Sequence, residues 1–499
     1  MIVHLILFSF TTLLIVIFVK NSKRKNPHPP GPPGLPILGN LHQFEANNTH
    51  VYLWRLSQKY GPIMSLKLGS VPTLVISSAK MAKEVLKTYD SIFASRPKLL
   101  GQQRLSYNGL DIAFCPLNEY LREMRRLSIL HLFGTKQVQS FRPIREDEVS
   151  RLVKKISNYA SSGEVIDLSK IMMFVASSFI CRVAFGKRYE EGGLESRRFD
   201  QILHEAQAMM NGFYLSDYIP SLGWLFDKVS GMISRLEKNF KELDSFYEEL
   251  IQEHLNKNRN KSTKVTQDII DILLQVKNEQ SSSVELTLDH IKAMLMIIFI
   301  AGTDTSAALV TWTMTVLMKT PLAMKRVQAE IRESVGNKGF VEEQDLQKLL
   351  YFKAIIKETL RLYTPVPLLV ARETIGSCII DGYEIQPKTL VFVNVWAIGR
   401  DPEYWDNPCE FLPERFLTCS IDYKGQDFGL IPFGSGRRIC PGLSLGMATV
   451  ESALANLLYS FDWELPPGMK KEDIDMDAFP GITMHKKTPL TLIANAIHC

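Results

Sequence analysis

The chain lacks any cysteine pattern that would staple it. Its seven cysteines are an odd number and form neither a CxxC pair nor a disulfide framework, which suits a reducing compartment. Internal repeats are also missing, and after residue 40 no Gly/Ser linker or block of like charge divides the chain. That favours one large domain over the two or three that 499 residues would allow. A net charge of +5, dispersed along the chain, excludes a nucleic-acid footprint. No glycine-rich loop of the nucleotide-binding kind is present. What is there is 45% hydrophobic and 22% charged, enough to bury a large core.

Charge is absent from residues 2–19, an apolar run long enough to span a bilayer with little tilt. Lys20, Lys23, Arg24 and Lys25 follow at once, and positive charge after the span predicts that the rest stays cytoplasmic. A cleaved secretory signal would carry its basic cluster before the apolar run and end in an A-x-A-like site, and neither is found. Residues 1–25 therefore read as a single-pass membrane anchor with a basic flank. Residues 26–40 are proline-rich, a stiff extended hinge in which repeated proline fixes φ and removes N–H donors. An SH3-type ligand is the other use of such a stretch. Residues 41–499 form the body, and the sequons at Asn47 and Asn260 should stay bare if that body is cytoplasmic.

Within the body, residues 63–68 and 73–77, separated by Gly69 and Pro72, predict a β-hairpin, and 379–385 with 390–395 a second β element. Helices are predicted over 79–89, 119–132, 146–160, 168–185, 233–256, 265–278, 286–319, 321–335, 351–363 and 443–461. The segment 286–319 is far longer than an average helix and apolar on most sides, so it should cross the middle of the protein.

The most informative stretch is Phe433-Gly-Ser-Gly-Arg-Arg-Ile-Cys-Pro-Gly442, of the form F-x-x-G-x-R-x-C-x-G, followed by a helical run. Glycines on both sides of Cys440 let the backbone fold tightly and bring the sulfur close to a flat cofactor. A cysteine at a helix start meets free N–H groups and the positive end of the dipole, which favour thiolate. Arg438 is a fixed cation for an acidic edge of that cofactor. A thiolate held this way suits a haem iron as axial ligand. A surface loop with an inert buried cysteine is the bland reading of the same residues.

This segment resembles the haem-binding loop of the cytochrome P450 family, the haem-thiolate monooxygenases. Three further motifs stand in the family's order: Ala301-Gly-Thr-Asp-Thr-Ser306, Glu358-Thr-Leu-Arg361 and Pro413-Glu-Arg-Phe416. The resemblance runs from about residue 28 to the C-terminus. It implies a mainly α fold, a helical prism with a small β subdomain around a buried haem b, tied to the membrane by an N-terminal transmembrane helix. Cys440 would be the iron ligand, with Arg125, Arg372, Phe433 and Arg438 as further cofactor contacts. Where the family carries a tryptophan four residues before Arg125 this chain has Leu121, which removes one N–H donor expected at a haem carboxylate.

Asp304 and Thr305 form part of a polar island inside the apolar helix. Back-bonding of the hydroxyls to earlier carbonyls is the plain structural reading. In the family the matching threonine steadies dioxygen and the acid feeds protons toward it, roles that would fall to Thr305 and Asp304. Glu358 and Arg361 share one helix face at i and i+3, which on an exposed helix is an ordinary surface pair. The resemblance makes them a buried network with Arg415 that braces the region under the haem loop. Substrate contact is expected from largely apolar segments, with Phe114, Phe213, Ala301, Leu368 and Ile482 as pocket candidates, and favours a lipophilic small molecule.

The activity implied is insertion of one oxygen atom from O2, with electrons from NADPH through a separate NADPH-cytochrome reductase, at the cytoplasmic face of the endoplasmic reticulum membrane. Residues 29–40 and 141–149 look like the plant microsomal branch of specialised metabolism, with the aldoxime-oxidising subgroup as the nearest flavour. A haem-thiolate isomerase or dehydratase and a membrane-anchored haem sensor are the rival classes. Intact Asp304 and Thr305 argue against the first and the apolar substrate segments against the second.

Overall fold

The computed structural model describes residues 27–45, 48–259, 267–279, 284–479 and 481–497. The expected membrane anchor and both sequon asparagines lie outside these residues. Among the described residues twelve helices have ten residues or more: α1 (Thr49–Tyr60), α2 (Glu119–His131), α3 (Arg142–Ser162), α4 (Leu168–Phe185), α5 (Leu194–Met210), α6 (Pro220–Val229), α7 (Met232–Arg259), α8 (Ile269–Glu279), α9 (Leu288–Lys319), α10 (Pro321–Val335), α11 (Leu350–Leu362) and α12 (Leu443–Ser460). Nine short strands accompany them: β1 (Ile63–Leu68), β2 (Val71–Ile76), β3 (Ile166–Asp167), β4 (Arg372–Glu373), β5 (Cys378–Ile380), β6 (Tyr383–Ile385), β7 (Leu390–Val393), β8 (Phe461–Glu464) and β9 (Thr491–Ala496).

The long helix α9 runs through the centre because nearly every face of it is apolar. Its residues 293–300 are all buried, and it packs against α4, α12, α11 and α10. Thr287 starts it with a capping box closed by His290. Both α9 and α4 are long and apolar enough to cross a membrane by composition, yet both are largely buried inside this domain. They are core helices. Sequence periodicity found α9 to within two residues but passed over α1, α5 and α6, whose apolar stripes are short.

The first sheet has the order β1-β2-β7-β4. β1 and β2 are the predicted hairpin, antiparallel with Ile63 opposite Ile76, turning at Gly69 where φ is +60°. The stretches 379–385 and 390–395 carry strands as predicted, but in two different sheets. β5 and β6 form their own hairpin, and β7 runs parallel to β2, with Thr73 opposite Leu390. The third sheet, β3-β9-β8, joins the C-terminus to the start of α4.

The proline-rich hinge is not a free spacer. Ser65 donates from its amide to Pro30 O (2.8 Å) and from its hydroxyl to Pro29 O (2.6 Å), and Asn40 accepts from the Lys67 amide (2.8 Å). A Cβ on Gly31 would lie 1.8 Å from Ser65 O, so glycine is what lets the segment lie against β1.

Candidate active site

Between α9, α5, α12 and the loop before α12 lies a cavity of about 300 Å³. Its walls are mostly apolar: Phe114, Phe133, Phe179, Ile180, Met210, Ile298, Ala301, Val366, Leu369, Val370 and Ile482. One end is formed by Phe433, Gly434, Cys440 and Gly442. The loop is held by the Cys440 amide donating to Phe433 O (2.9 Å), by left-handed φ at Gly434 (+71°) and Gly436 (+68°), and by the Ser435 hydroxyl on Gly425 O (2.6 Å). A Cβ at Gly436 would lie 2.4 Å from Leu86 O. The glycines therefore do what the sequence suggested: they fold the backbone tightly, and Cys440 borders the cavity. The helix begins at Leu443 as expected, with Gly442 as its cap, so Cys440 stands just ahead of the helix start.

Burial raises the Cys440 thiol above its ordinary value, and the Gly442 N–H and the Arg125 charge oppose this without cancelling it. The helix start alone does not make the thiolate. A bound metal cation would, because it deprotonates a coordinating thiol outright.

Four arginines border the same cavity: Arg96, Arg125, Arg372 and Arg438. Arg125 donates to Ile439 O (2.6 Å), and Arg438 donates to Ala94 O (2.7 Å) and to Cys115 O. Arg96, which sequence reading missed, is tied to Ala113, Val370 and Ala371 carbonyls. Arg372 reaches Ser435 O at 3.3 Å, while its Nη1 stands 3.5 Å from Asp90 and is buried without a hydrogen bond. Burial depresses Arg372 and Arg438 to about 10, and their charges and that of Arg125 add to the depression of Arg96. A guanidinium does not lose its proton in a protein, so these shifts register electrostatic strain. Asp90 and Asp111 are the carboxylates beside them. Asp90 is shared with Arg437 (3.4 Å), so the guanidinium groups at this end outnumber their carboxylates, as the acidic edge of a haem requires. The donor set, the orphaned Nη1 and the cavity-facing sulfur fit that cofactor. Leu121, by contrast, is only 2% exposed and does not border the cavity.

Asp304 and Thr305 both border the cavity from α9. The Thr305 hydroxyl donates to Ala301 O (2.7 Å), the back-bond that the sequence also allowed, and its lone pairs are left toward the cavity. Asp304 is paired. Its Oδ1 accepts from Gln207 Nε2 on α5 (2.6 Å), and its Oδ2 lies 3.5 Å from His485 Nε2 in the C-terminal loop. Neither partner was named from sequence, because α5 was not recognised and His485 stands in a loop without periodicity.

Glu358, Arg361 and Arg415 come together away from the cavity. Arg361 makes a two-pronged pair with Glu358 (2.7 Å on each arm) and donates to the carbonyls of Gly399, Pro408 and Glu410. Arg415 Nε reaches Glu358 at 3.2 Å, and the Leu412 amide adds a bond of 2.8 Å.

Of the pocket candidates, Phe114, Ala301 and Ile482 line the cavity and two do not. Phe213 is 56% exposed and stacks on Tyr218 at 5.1 Å on the outer surface. Leu368 packs against the Leu53 cluster by the first sheet. The reason is the left-handed backbone at Leu369 (φ +52°), which redirects the chain so that Leu369 and Val370 face the cavity instead.

The family model described as Cytochrome P450 matches residues 29–493. The 6,7,8-trihydroxycoumarin synthase of Pastinaca sativa is 51% identical over 93% of this chain and 92% of its own length. The 5-OH-xanthotoxin synthase of the same plant is 52% identical over 93% and 92%. A zebra fish cytochrome P450 solved with abiraterone superposes with a TM-score of 0.76 at 26% identity, covering 90% of this chain and 99% of that one. Matched almost from end to end by that model, and identical to plant relatives at every second position, the chain belongs to the cytochrome P450 family of haem-dependent monooxygenases of plant specialised metabolism.

Proposed function

We propose that this monooxygenase hydroxylates a planar, uncharged aromatic molecule of the coumarin type. Coumarin chemistry in the names of its plant relatives supports the substrate class. So does the cavity, whose aromatic and aliphatic walls carry few polar groups outside the arginine end. Haem b would be held by Cys440 through its iron and by Arg96, Arg125, Arg372 and Arg438 through its two carboxylates. Bound there, it would supply dioxygen binding and the electron density from thiolate that favours O–O cleavage. Phe433 would cover the sulfur side.

The observation that carries the mechanism is the polar pair Asp304 and Thr305 on the mostly apolar wall of a cavity that Cys440 also borders. Asp304 holds a proton source at the cavity wall, and Thr305 orients it through lone pairs left available by the Ala301 back-bond. Glu358, Arg361 and Arg415 brace the floor and take no part in proton movement. NADPH-cytochrome reductase would supply the electrons. The protein would sit on the endoplasmic reticulum membrane through residues 2–19. The exposed apolar side chains of α6 (Leu222, Trp224, Leu225, Phe226 and Val229) support lipid contact, and the Ser70–Tyr218 bonds set the chain just before α6 beside the hinge-bearing sheet.

The test is Thr305→Ala assayed on xanthotoxin and simple coumarins with NADPH and a plant reductase. Product per NADPH should fall by about 10²–10⁴-fold, the usual worth of general acid assistance, while NADPH use persists and hydrogen peroxide rises. Full coupling in the variant would refute the role given to this pair. Product formed without NADPH would instead favour an isomerase.

A further inference from the structure

We infer that His485 is the solvent-side proton partner of Asp304, a positioning residue that reloads the acid from outside the cavity while Gln207 holds it in place. This rests on the role given to Asp304 above. Three observations carry it. Asp304 borders the cavity and His485 does not, yet their Oδ2 and Nε2 atoms stand 3.5 Å apart. The His485 side chain is 29% exposed, whereas Asp304 is 10% exposed, so imidazole is the member of the pair that meets solvent. The other carboxylate oxygen is occupied by Gln207 Nε2 at 2.6 Å, which fixes the plane of the carboxylate and turns Oδ2 toward the ring.

The loop that carries His485 is anchored so that the ring does not wander. Trp312 Nε1 on α9 donates to Met484 O (2.7 Å), the Met484 amide donates to Pro365 O (2.7 Å), and the Phe479 amide donates to His485 O (2.8 Å). Trp312 itself stacks on Tyr363 at 4.9 Å. The histidine therefore stands on the same helix that carries Asp304, two turns on, by way of a backbone bond.

At 3.5 Å the pair is at ion-pair distance, and a small rotation of either side chain closes it to a hydrogen bond. The step is a proton transfer with no change of oxidation state. The Nε2–H bond of the imidazolium breaks, an O–H bond forms at Asp304 Oδ2, and the neutral ring takes its next proton from a solvent hydronium ion, which is left as water. Asp304 is the carboxylate beside His485. The neighbouring Lys486 is turned to Asp475 at 3.6 Å, Lys487 to Asp477 at 3.7 Å, and the cavity's remaining charges are the four arginines and Cys440. No second acid competes for the ring among the described residues. Imidazole can donate from one ring nitrogen and accept at the other, which makes it a fitting carrier between water and a carboxylate.

The experiment uses the full-length haem-loaded enzyme with reductase, NADPH and xanthotoxin as probe. Its readout is peroxide released per NADPH, which needs no product to form. His485→Gln should raise that ratio roughly 3- to 10-fold, a fraction of the range for direct acid assistance, and should enlarge the solvent deuterium isotope effect on it. A residue that only held the loop would leave the isotope effect unmoved. A second measurement leaves His485 in place: deuterium exchange at its ring carbon, read by mass spectrometry at one fixed pH, reports what the ring meets. Asp304→Asn should change the rate of that exchange, because the carboxylate beside Nε2 has been replaced by an amide. If Asp304→Asn raises peroxide but His485→Gln does not, or if the exchange rate at the His485 ring stays put, the relay is refuted and the role of Asp304 survives. If Asp304→Asn leaves the peroxide ratio unchanged, the proton role of Asp304 fails first and the relay falls with it.

Discussion

Two arginine clusters in this protein look alike in sequence and differ in how they are closed. Around Glu358 every charged arm is answered: Arg361 and Arg415 meet the carboxylate, and their remaining N–H groups reach backbone carbonyls. Around Cys440 the guanidinium groups outnumber their carboxylates, and Arg372 Nη1 has no hydrogen bond. A saturated buried network contributes to the fold itself. One left with positive charge and a free donor is shaped for an anion that arrives from outside the chain. The difference separates scaffold from binding site without reference to any motif.

The comparison breaks most visibly in the closed cluster. Arg361→Ala leaves Glu358 buried with half its partners, which should lower unfolding stability by about 3–5 kcal/mol with or without haem. Urea unfolding and the yield of haem-loaded protein would measure it. In the open cluster the balance inverts. Arg372→Leu should weaken haem retention by about 1.5–3 kcal/mol, the worth of a charge-assisted hydrogen bond, yet leave the haem-free protein as stable or more so. Haem transfer to an apo-globin acceptor, run beside thermal unfolding of the haem-free form, separates the two effects. Equal loss in both would make Arg372 part of the scaffold.

Leu121 sharpens the boundary between the regions. The resemblance suggests that a tryptophan there would add a donor for the haem. Its full burial argues that Leu121→Trp overpacks α2 instead, lowering stability by about 1–3 kcal/mol and loosening haem in proportion. Slower haem loss in that variant would mean that the indole reaches the cavity after all.

The smallest expected effect is the same contrast in titratable form. His50 is buried, and burial followed by the Arg400 charge lowers its pKa to about 4. Its folded value lies below the unfolded one, so stability is present above pH 6.5 and is lost as pH falls toward about 4. The slope is about 1.4 kcal/mol per unit at most. For His254 burial pulls downward, but the Asp268 hydrogen bond (3.0 Å) and charge outweigh it and the net shift is upward. That contribution is present below about 6.5 and fades as pH rises through the folded value. Thermal unfolding from pH 5.5 to 8 should show His50→Gln gaining on the wild type at the acid end. His254→Gln should close its deficit at the alkaline end.

Much of the site was legible because its chemistry is contiguous. The cysteine loop carries its glycines, cation and sulfur within ten residues, Phe433 to Gly442, and local backbone geometry is enough to place them. The polar island of α9 stood out for a similar reason, since four polar residues in an apolar helix need a cause. Glu358 and Arg361 were recognisable as a pair, but their burial was not, because i and i+3 spacing is the same on an exposed helix. The aldoxime flavour taken from residues 29–40 and 141–149 and the coumarin names of the relatives point to different substrates, and neither stretch borders the cavity.

By itself, then, the sequence placed the central helix and pointed to Cys440 as the proposed haem ligand and to Asp304 and Thr305 as the proposed acid and hydroxyl, because each depends on neighbours along the chain. Tertiary structure alone decided what meets Asp304, since Gln207 is 97 residues away and His485 stands in the C-terminal loop that follows α12 in the chain. It also decided that Arg96 joins the cationic end, and that Leu369 rather than Leu368 faces the cavity. A positive φ at one leucine and a lone arginine drawn into the interior leave no periodic trace. Their positions follow from contacts that exist only once the helices have closed around the cavity.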